Sequence, residues 1–156
     1  MALNQQVKVK RVAPFKFDNV GSFLRPAKLK AAREAFEEGS ITQSELKNVE
    51  DITIKDLIEK QKEIGLEAIT DGEFRRSWWH LDFFWGLGGI EKVDIGQGYK
   101  FAHVETRAET ARLTGKLSGE NHPFIEHFKY VQQFADDEII ARQTIPAPAQ
   151  FLAELT

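Results

Sequence analysis

The most regular pattern of apolar positions in the chain runs from Leu46 to Ile64. Leu46, Val49, Ile52, Thr53, Leu57 and Ile64 hold the 3.6-residue period, which predicts a helix with one face turned to a core. Its start is marked by Thr42 and Glu45, spaced as a capping box in which each side chain satisfies a backbone N–H that the helix leaves free. Gly65 stands where a left-handed stop is wanted. A shorter helix is expected after Pro26, with Leu29, Ala32 and Phe36 on one face and Gly39 at its end. Residues 17–23 upstream of it read as a strand joined to the helix by a tight loop.

Downstream of the long helix, residues 66–70 form a brief apolar run that fits a strand buried on both faces. Residues 78–98 are crowded with Trp, Phe and Gly and show no clean period, and residues 99–117 then include alternating stretches such as Phe101, His103 and Glu105. An irregular excursion with a β-hairpin is expected there. Asn121 and Pro123 open another helix, striped by Phe124, Phe128, Val131 and Phe134. Residues 139–145 read as a strand stopped by Pro146 and Pro148, and residues 149–155 as the first turns of a further helix. Strands separated by helices favour a parallel α/β sheet with right-handed crossovers. Residues 1–16 alternate weakly and contain Pro14; they are read as an arm, leaving 17–156 as the folded unit.

Length changes that picture. A chain of 156 residues holds a real core, but a complete (β/α)8 barrel typically needs about 250. The 42% hydrophobic and 29% charged composition belongs to a globular chain, and the net charge of −3 provides no broad positive field for a nucleic acid or an anionic membrane. Lys8, Lys10, Arg11 and Lys16 are a local exception, read as a solvated arm. With neither a run of about 20 apolar residues nor a secretory signal, a cytoplasmic location is expected. The absence of cysteine excludes disulfides, thiolate nucleophiles and zinc sites built on sulfur, so only His, Asp and Glu remain as metal ligands.

In a parallel α/β fold, ligands bind at the carboxyl ends of strands, and two segments fall there. Val20-Gly21-Ser22-Phe23 offers close backbone approach at Gly21 and a hydroxyl at Ser22 that can donate to a carboxylate; it also reads as a common Gly-Ser turn. Thr70-Asp71-Gly72-Glu73-Phe74-Arg75-Arg76 places two carboxylates two residues apart, on one side if the backbone is extended, where Asp71 or Glu73 could receive an ammonium or a proton. The plainer reading is a surface Asp-Gly turn with arginine partners. Trp78, Trp79, Phe83, Phe84 and Trp85 could stack a flat ligand, although such clusters are more often packing. His122 and His127, and His80 with Asp82, lack metal-ligand spacing. Gly86-Leu87-Gly88-Gly89 lacks the third glycine of a dinucleotide fingerprint and reads as a flexible loop.

Taken together, Asn19-Val20-Gly21-Ser22-Phe23-Leu24-Arg25-Pro26 and Asp71-Gly72-Glu73-Phe74-Arg75-Arg76 resemble the opening of cobalamin-independent methionine synthases, nearest the short single-barrel relatives of their catalytic domain. The similarity continues more faintly through Arg112-Leu113-Thr114-Gly115-Lys116-Leu117, the helix after Pro123, and Thr144-Ile145-Pro146-Ala147-Pro148. The resemblance implies the first strands and helices of a (β/α)8 barrel with an inserted hairpin. It implies methyl transfer from a folate to the thiol of homocysteine, activated by zinc. Ser22 inherits a role at the amino acid's carboxylate and Glu73 one at its ammonium, with Gly21 and Asp71 beside them. The family's zinc ligands, which include two cysteines, lie in later strands, so zinc is expected in a longer parent and none on this chain. Two other outcomes stand beside this: a non-catalytic amino-acid-binding or oligomerisation module, and a decarboxylase or lyase on a related barrel with Asp71 or Glu73 as acid or base. Half a barrel leaves strand edges open, so association with a second copy or with missing segments is expected.

Overall fold

Helix α1 (Ala27–Glu37) begins directly after Pro26, whose φ of −59° leads into a helix, and the chain turns away at Gly39 with φ +73°. The computed structural model describes residues 19–98 and 100–155. Helix α2 (Gln43–Glu63) carries the expected capping box: Thr42 Oγ1 accepts from the Glu45 N–H at 3.2 Å and the Glu45 carboxylate accepts from the Thr42 N–H at 2.7 Å. Such a cap contributes about 1 kcal/mol. Gly65, at φ +83°, ends that turn as expected.

The buried face of α2 is the predicted apolar stripe only in part: Leu46 and Thr53 are buried and Val49 and Leu57 pack against the core, but the face is rotated to take in polar residues. Ile52 and Ile64 are 55% and 73% exposed, whereas Leu46, Glu50, Thr53, Ile54, Ile58 and Gln61 are buried. The helix is turned this way because Glu50 and Gln61 both find strong partners inside. Gln61 donates to the Thr70 carbonyl at 2.9 Å and accepts from the Thr70 N–H at 3.0 Å, meeting a strand end as a neighbouring strand would.

Strand β1 (Ala68–Ile69) pairs in parallel with the later β4 (Ile140–Ala141), Ala68 opposite Ile140 and Ile69 opposite Ala141. Both strands are much shorter than the runs that predicted them. Residues 19–23 form no strand; residues 17 and 18, and the arm at 1–16, lie outside the described residues. What stands in place of the expected first strand is one backbone bond, from the Phe23 N–H to the Gly72 carbonyl at 3.2 Å. The core between helices and strands contains Leu29, Ile54, Ile58, Ile69, Phe74 and Val131. Each fully buried side chain of this size contributes about 1.5–3 kcal/mol, so side-chain packing rather than strand pairing holds this layer.

Helix α3 (Leu81–Trp85) leads into an antiparallel hairpin of β2 (Gly88–Asp94) and β3 (Glu109–Ser118). The hairpin is present as expected and its second strand falls in the alternating range 99–117, but not at the residues that showed it best: Phe101 and Val104 are exposed, and residues 100–105 hold only an isolated bridge, Lys100 to Glu105. Gly88-Gly89 starts a strand rather than forming a flexible loop. Gly89 sits at a register shift with φ +79°, where a Cβ would come within 2.5 Å of the Lys116 carbonyl oxygen, so the second strand itself demands glycine. Helix α4 (Pro123–Gln132) follows, capped by His122 rather than Asn121: the imidazole Nδ1 accepts from the Phe124 N–H at 3.1 Å. Phe124 and Val131 of the predicted stripe are buried and Phe128 and Phe134 half-buried. Helix α5 (Pro148–Glu154) closes the series. Among the described residues no helix is long and apolar enough to cross a membrane.

Candidate functional site

The chain leaves β1 into a tight buried turn. Thr70 Oγ1 accepts from the Gly72 N–H at 3.0 Å, Asp71 Oδ1 accepts from the Glu73 N–H at 2.9 Å, and the carbonyls of Asp71 and Glu73 accept from the N–H groups of Phe74 and Arg76. Gly72 and Glu73 are consecutive left-handed residues, at φ +63° and +58°. Gly72 is favoured by its φ, and a Cβ there would also displace the Leu57 side chain. Glu73 has no such freedom. A non-glycine residue in this conformation is disfavoured and persists only where its surroundings hold it. The extended reading of residues 71–73 is therefore overturned, and so is the surface turn, because Asp71 and Glu73 are 2% and 4% exposed.

Three donors meet at the Glu73 carboxylate. Ser22 Oγ donates to Oε2 at 2.6 Å, while Thr144 Oγ1 and Arg76 Nη1 donate to Oε1 at 3.0 and 3.3 Å. A carboxylate has about four acceptor positions, so one on Oε2 is left for another donor. Ser22, which faces Oε2, is exposed. The two motifs join at several points. Besides Ser22 on Glu73 and Phe23 on Gly72, Arg25 Nη2 donates to the carbonyls of Glu73 and Arg76 at 3.0 and 2.8 Å. Gly21 stands beside Ser22 with φ +92° and open space around it.

The Arg76 guanidinium is buried. It reaches Glu73, the Trp79 carbonyl at 3.1 Å, and the carbonyl and hydroxyl of Thr144 at 2.5 and 2.9 Å, and lies 4.5 Å from the Phe124 ring centre. Burial lowers its pKa, and Glu73 and Asp71 oppose that shift. Asp71 is pushed the other way: burial raises its carboxyl pKa, against the Glu73 N–H and Arg76, and among the described residues its Oδ2 has no hydrogen-bond partner. Asp71 thus braces the Glu73 backbone, while Glu73 faces Ser22.

Behind the turn, Glu50 of α2 accepts from Arg33 at 2.9 Å and from Arg75 at 3.1 Å; Arg33 also donates to the Phe74 carbonyl and Arg75 to Asp51. Sequence reading missed Glu50, Thr144 and the task of Arg25. Glu50 gave one signal, an acid four residues from both Leu46 and Ile54 on a buried helix face.

Most of the aromatic cluster is packing. Phe84 is buried with Leu81 and Ala111, while Trp78 and Trp85 donate from their indole nitrogens to Glu109 and to the Thr110 carbonyl, binding α3 to the hairpin. Trp79 is half exposed and rests on His80, ring centres 4.5 Å apart. His80 approaches Glu154 at 3.4 Å, and Asp82 instead accepts from the backbone of Ser77 and Trp78. His127 packs on Phe124, and burial with the nearby arginines lowers its pKa to about 4. Its folded pKa lies below the ordinary value of 6.5, so the neutral ring is favoured by folding. The corresponding stability is present above pH 6.5 and is lost as pH falls toward 4. His127→Phe should flatten that part of the stability profile, measured by thermal melting at pH 7, 5.5 and 4; an unchanged slope would refute the assignment.

Residues 15–122 match the family described as "Cobalamin-independent synthase, Catalytic domain". The chain belongs to this family. The match includes both Gly21-Ser22 and Asp71-Gly72-Glu73 and ends before Thr144. Relatives of this cobalamin-independent synthase chain include two uncharacterized proteins of Bacillus subtilis (strain 168). YxjH is 41% identical over 144 residues, 92% of this chain and 38% of the relative; YxjG is 41% identical over 135 residues, 86% and 35%. The chain therefore spans less than two fifths of either. A crystal structure of a Listeria monocytogenes protein, provisionally named a vitamin-B12-independent methionine synthase, superposes with a TM-score of 0.76 at 42% identity, covering 94% of this chain and 41% of that one. A B12-independent methionine synthase from Shewanella sp. W3-18-1, solved with selenomethionine, shares the fold at a TM-score of 0.57 and 17% identity, covering 74% and 33%. The zinc that the family implies does not fit the residues here: the chain has no cysteine, and among the described residues no three His, Asp or Glu are grouped to hold a metal.

Proposed function

We propose that this chain is the amino-acid-gripping front part of a cobalamin-independent methionine synthase-type methyltransferase, built on the first strands and helices of a (β/α)8 barrel. In this reading Glu73 receives the α-ammonium of homocysteine or methionine through the remaining acceptor position of Oε2, and Ser22, with the Gly21 backbone, turns to the carboxylate. Asp71 fixes the Glu73 N–H. A folate methyl donor, a zinc ion that lowers the thiol pKa, and the cytoplasmic setting belong to the longer protein. No step through zinc is assigned to these residues, and association with a second copy or with further barrel segments goes with the same reading.

The observation that carries the proposal is the 2.6 Å contact between Ser22 Oγ and Glu73 Oε2, fifty-one positions apart in sequence. An α-amino acid bears both its charges on one carbon, so groups that read them have to stand within a hydrogen bond or two of each other. The hydroxyl now spent on Glu73 is free to rotate toward a ligand carboxylate once an ammonium takes its place.

Calorimetric titration of this chain with methionine tests the reading. Glu73→Gln keeps the size and removes the charge, and should weaken binding by about 2 kcal/mol, roughly 30-fold. Methionine that binds Glu73→Gln as tightly as the parent chain, or fails to bind the parent, would sink it.

A further inference from the structure

The turn that carries Glu73 is unusual in how its carbonyls are held. Those of Glu73 and Arg76 accept from Arg25, and that of Phe74 accepts from Arg33. The two arginines are differently placed. Arg33 also serves Glu50 within a buried ion network, so ion pairing alone accounts for its retention. Arg25 is half-buried and pairs with no carboxylate among the described residues; its guanidinium nitrogen Nη2 donates to two backbone carbonyls at 3.0 and 2.8 Å. Desolvating a cation to reach neutral acceptors is unfavourable unless the geometry it secures is needed.

That geometry is the backbone of Glu73. The two carbonyls are the first and last of the turn closed by the Arg76 N–H on the Glu73 carbonyl at 3.1 Å, so Arg25 spans the turn from outside while that bond spans it from within. Glu73 sits at φ +58°, a conformation that relaxes toward negative φ if its restraints loosen, and such a relaxation would swing the carboxylate away from Ser22. Arg25 also lies three residues beyond Ser22, on the segment that supplies the other half of the contact. One residue therefore ties the backbone that bears Ser22 to the backbone that bears Glu73.

We propose that Arg25 is a positioning residue for amino-acid recognition: by bridging the Glu73 and Arg76 carbonyls it holds the Glu73 carboxylate in register with Ser22. The inference rests on the ammonium-binding role given to Glu73 above. A guanidinium is suited to it because the planar fork fixes the direction of its N–H groups, whereas a lysine ammonium on a flexible stem would hold the pair of carbonyls less rigidly.

The test compares two ligands that differ only at the amine, methionine and 4-(methylsulfanyl)butanoate, by calorimetry on the chain as it stands. The parent chain should prefer methionine by roughly 30-fold. In Arg25→Ala, methionine should weaken about tenfold while the amine-free acid changes less than about twofold, so the preference narrows to about threefold. Arg25→Lys, which retains the charge, should fall between, and it decides the matter by the same comparison if the alanine variant does not fold. Equal weakening of both ligands would mark Arg25 as a merely structural contact and overturn the proposal, as would unchanged methionine affinity. A parent chain indifferent to the amine would instead overturn the role of Glu73, and that of Arg25 with it.

Discussion

Arg76→Met is expected to lower the unfolding free energy by about 3–5 kcal/mol, the usual cost of removing one partner from a buried ion pair. The side chain is 2% exposed and serves four acceptors, among them the Glu73 carboxylate and the carbonyls of Trp79 and Thr144. Methionine fills much of the space against Phe124 but donates nothing, so Glu73 would keep a buried charge with its cation gone and two carbonyls would lose a donor. The loss comes from these stranded groups rather than from the worth of the pair itself. For that reason the double variant Glu73→Leu, Arg76→Met should recover part of the stability, as it removes both charges together. Urea unfolding of the parent, single and double variants measures this; a double variant less stable than Arg76→Met alone would refute the account.

The second large effect is expected at Glu50. Its side chain is 8% exposed and holds the guanidinium groups of Arg33 and Arg75, themselves 20% and 4% exposed. Burial raises the Glu50 pKa even against the two arginines. Glu50→Ala leaves two arginines in a poorly solvated site without the carboxylate they share, and should cost about 3–5 kcal/mol. Glu50→Gln keeps an acceptor and should cost less. The same variants bear on recognition, because Arg33 holds the Phe74 carbonyl one residue from Glu73. A Glu50→Ala chain that melts within a degree or two of the parent would show that Arg33 and Arg75 find other partners or water.

The resemblance drawn from Gly21-Ser22 and Asp71-Gly72-Glu73 agrees with the family match, and the two segments meet in space as the amino-acid reading needs. Their local shapes were less legible. Phe17 to Phe23 looks like a strand on composition, yet residues 19–23 are drawn onto the β1 turn by Phe23 and Ser22 instead of pairing in a sheet. Asp71 and Glu73 look like neighbours on one side of an extended chain, yet Gly72 and Glu73 are both left-handed and send the two carboxyl groups to different tasks. A hairpin within residues 78–117 is legible from alternation, but not its first strand, which begins at Gly88, where Lys116 from the other strand crowds Gly89.

The sequence by itself determined what short-range contacts control: the capping box at Thr42 and Glu45, the glycine stops at Gly39 and Gly65, the helices after Pro26 and at Pro123, and the family membership carried by two motifs. Tertiary structure alone decided that Glu50 and Gln61 join the buried face of α2, that Arg25 and Thr144 belong with Glu73, and that Asp71 turns to the Glu73 backbone. Those partners stand 48 and 71 positions from Glu73, and Glu50 stands 25 from Arg75. No periodicity or turn preference spans such distances. A buried charge is settled by whichever donors the fold brings to it, and that choice exists only once the chain has closed around it.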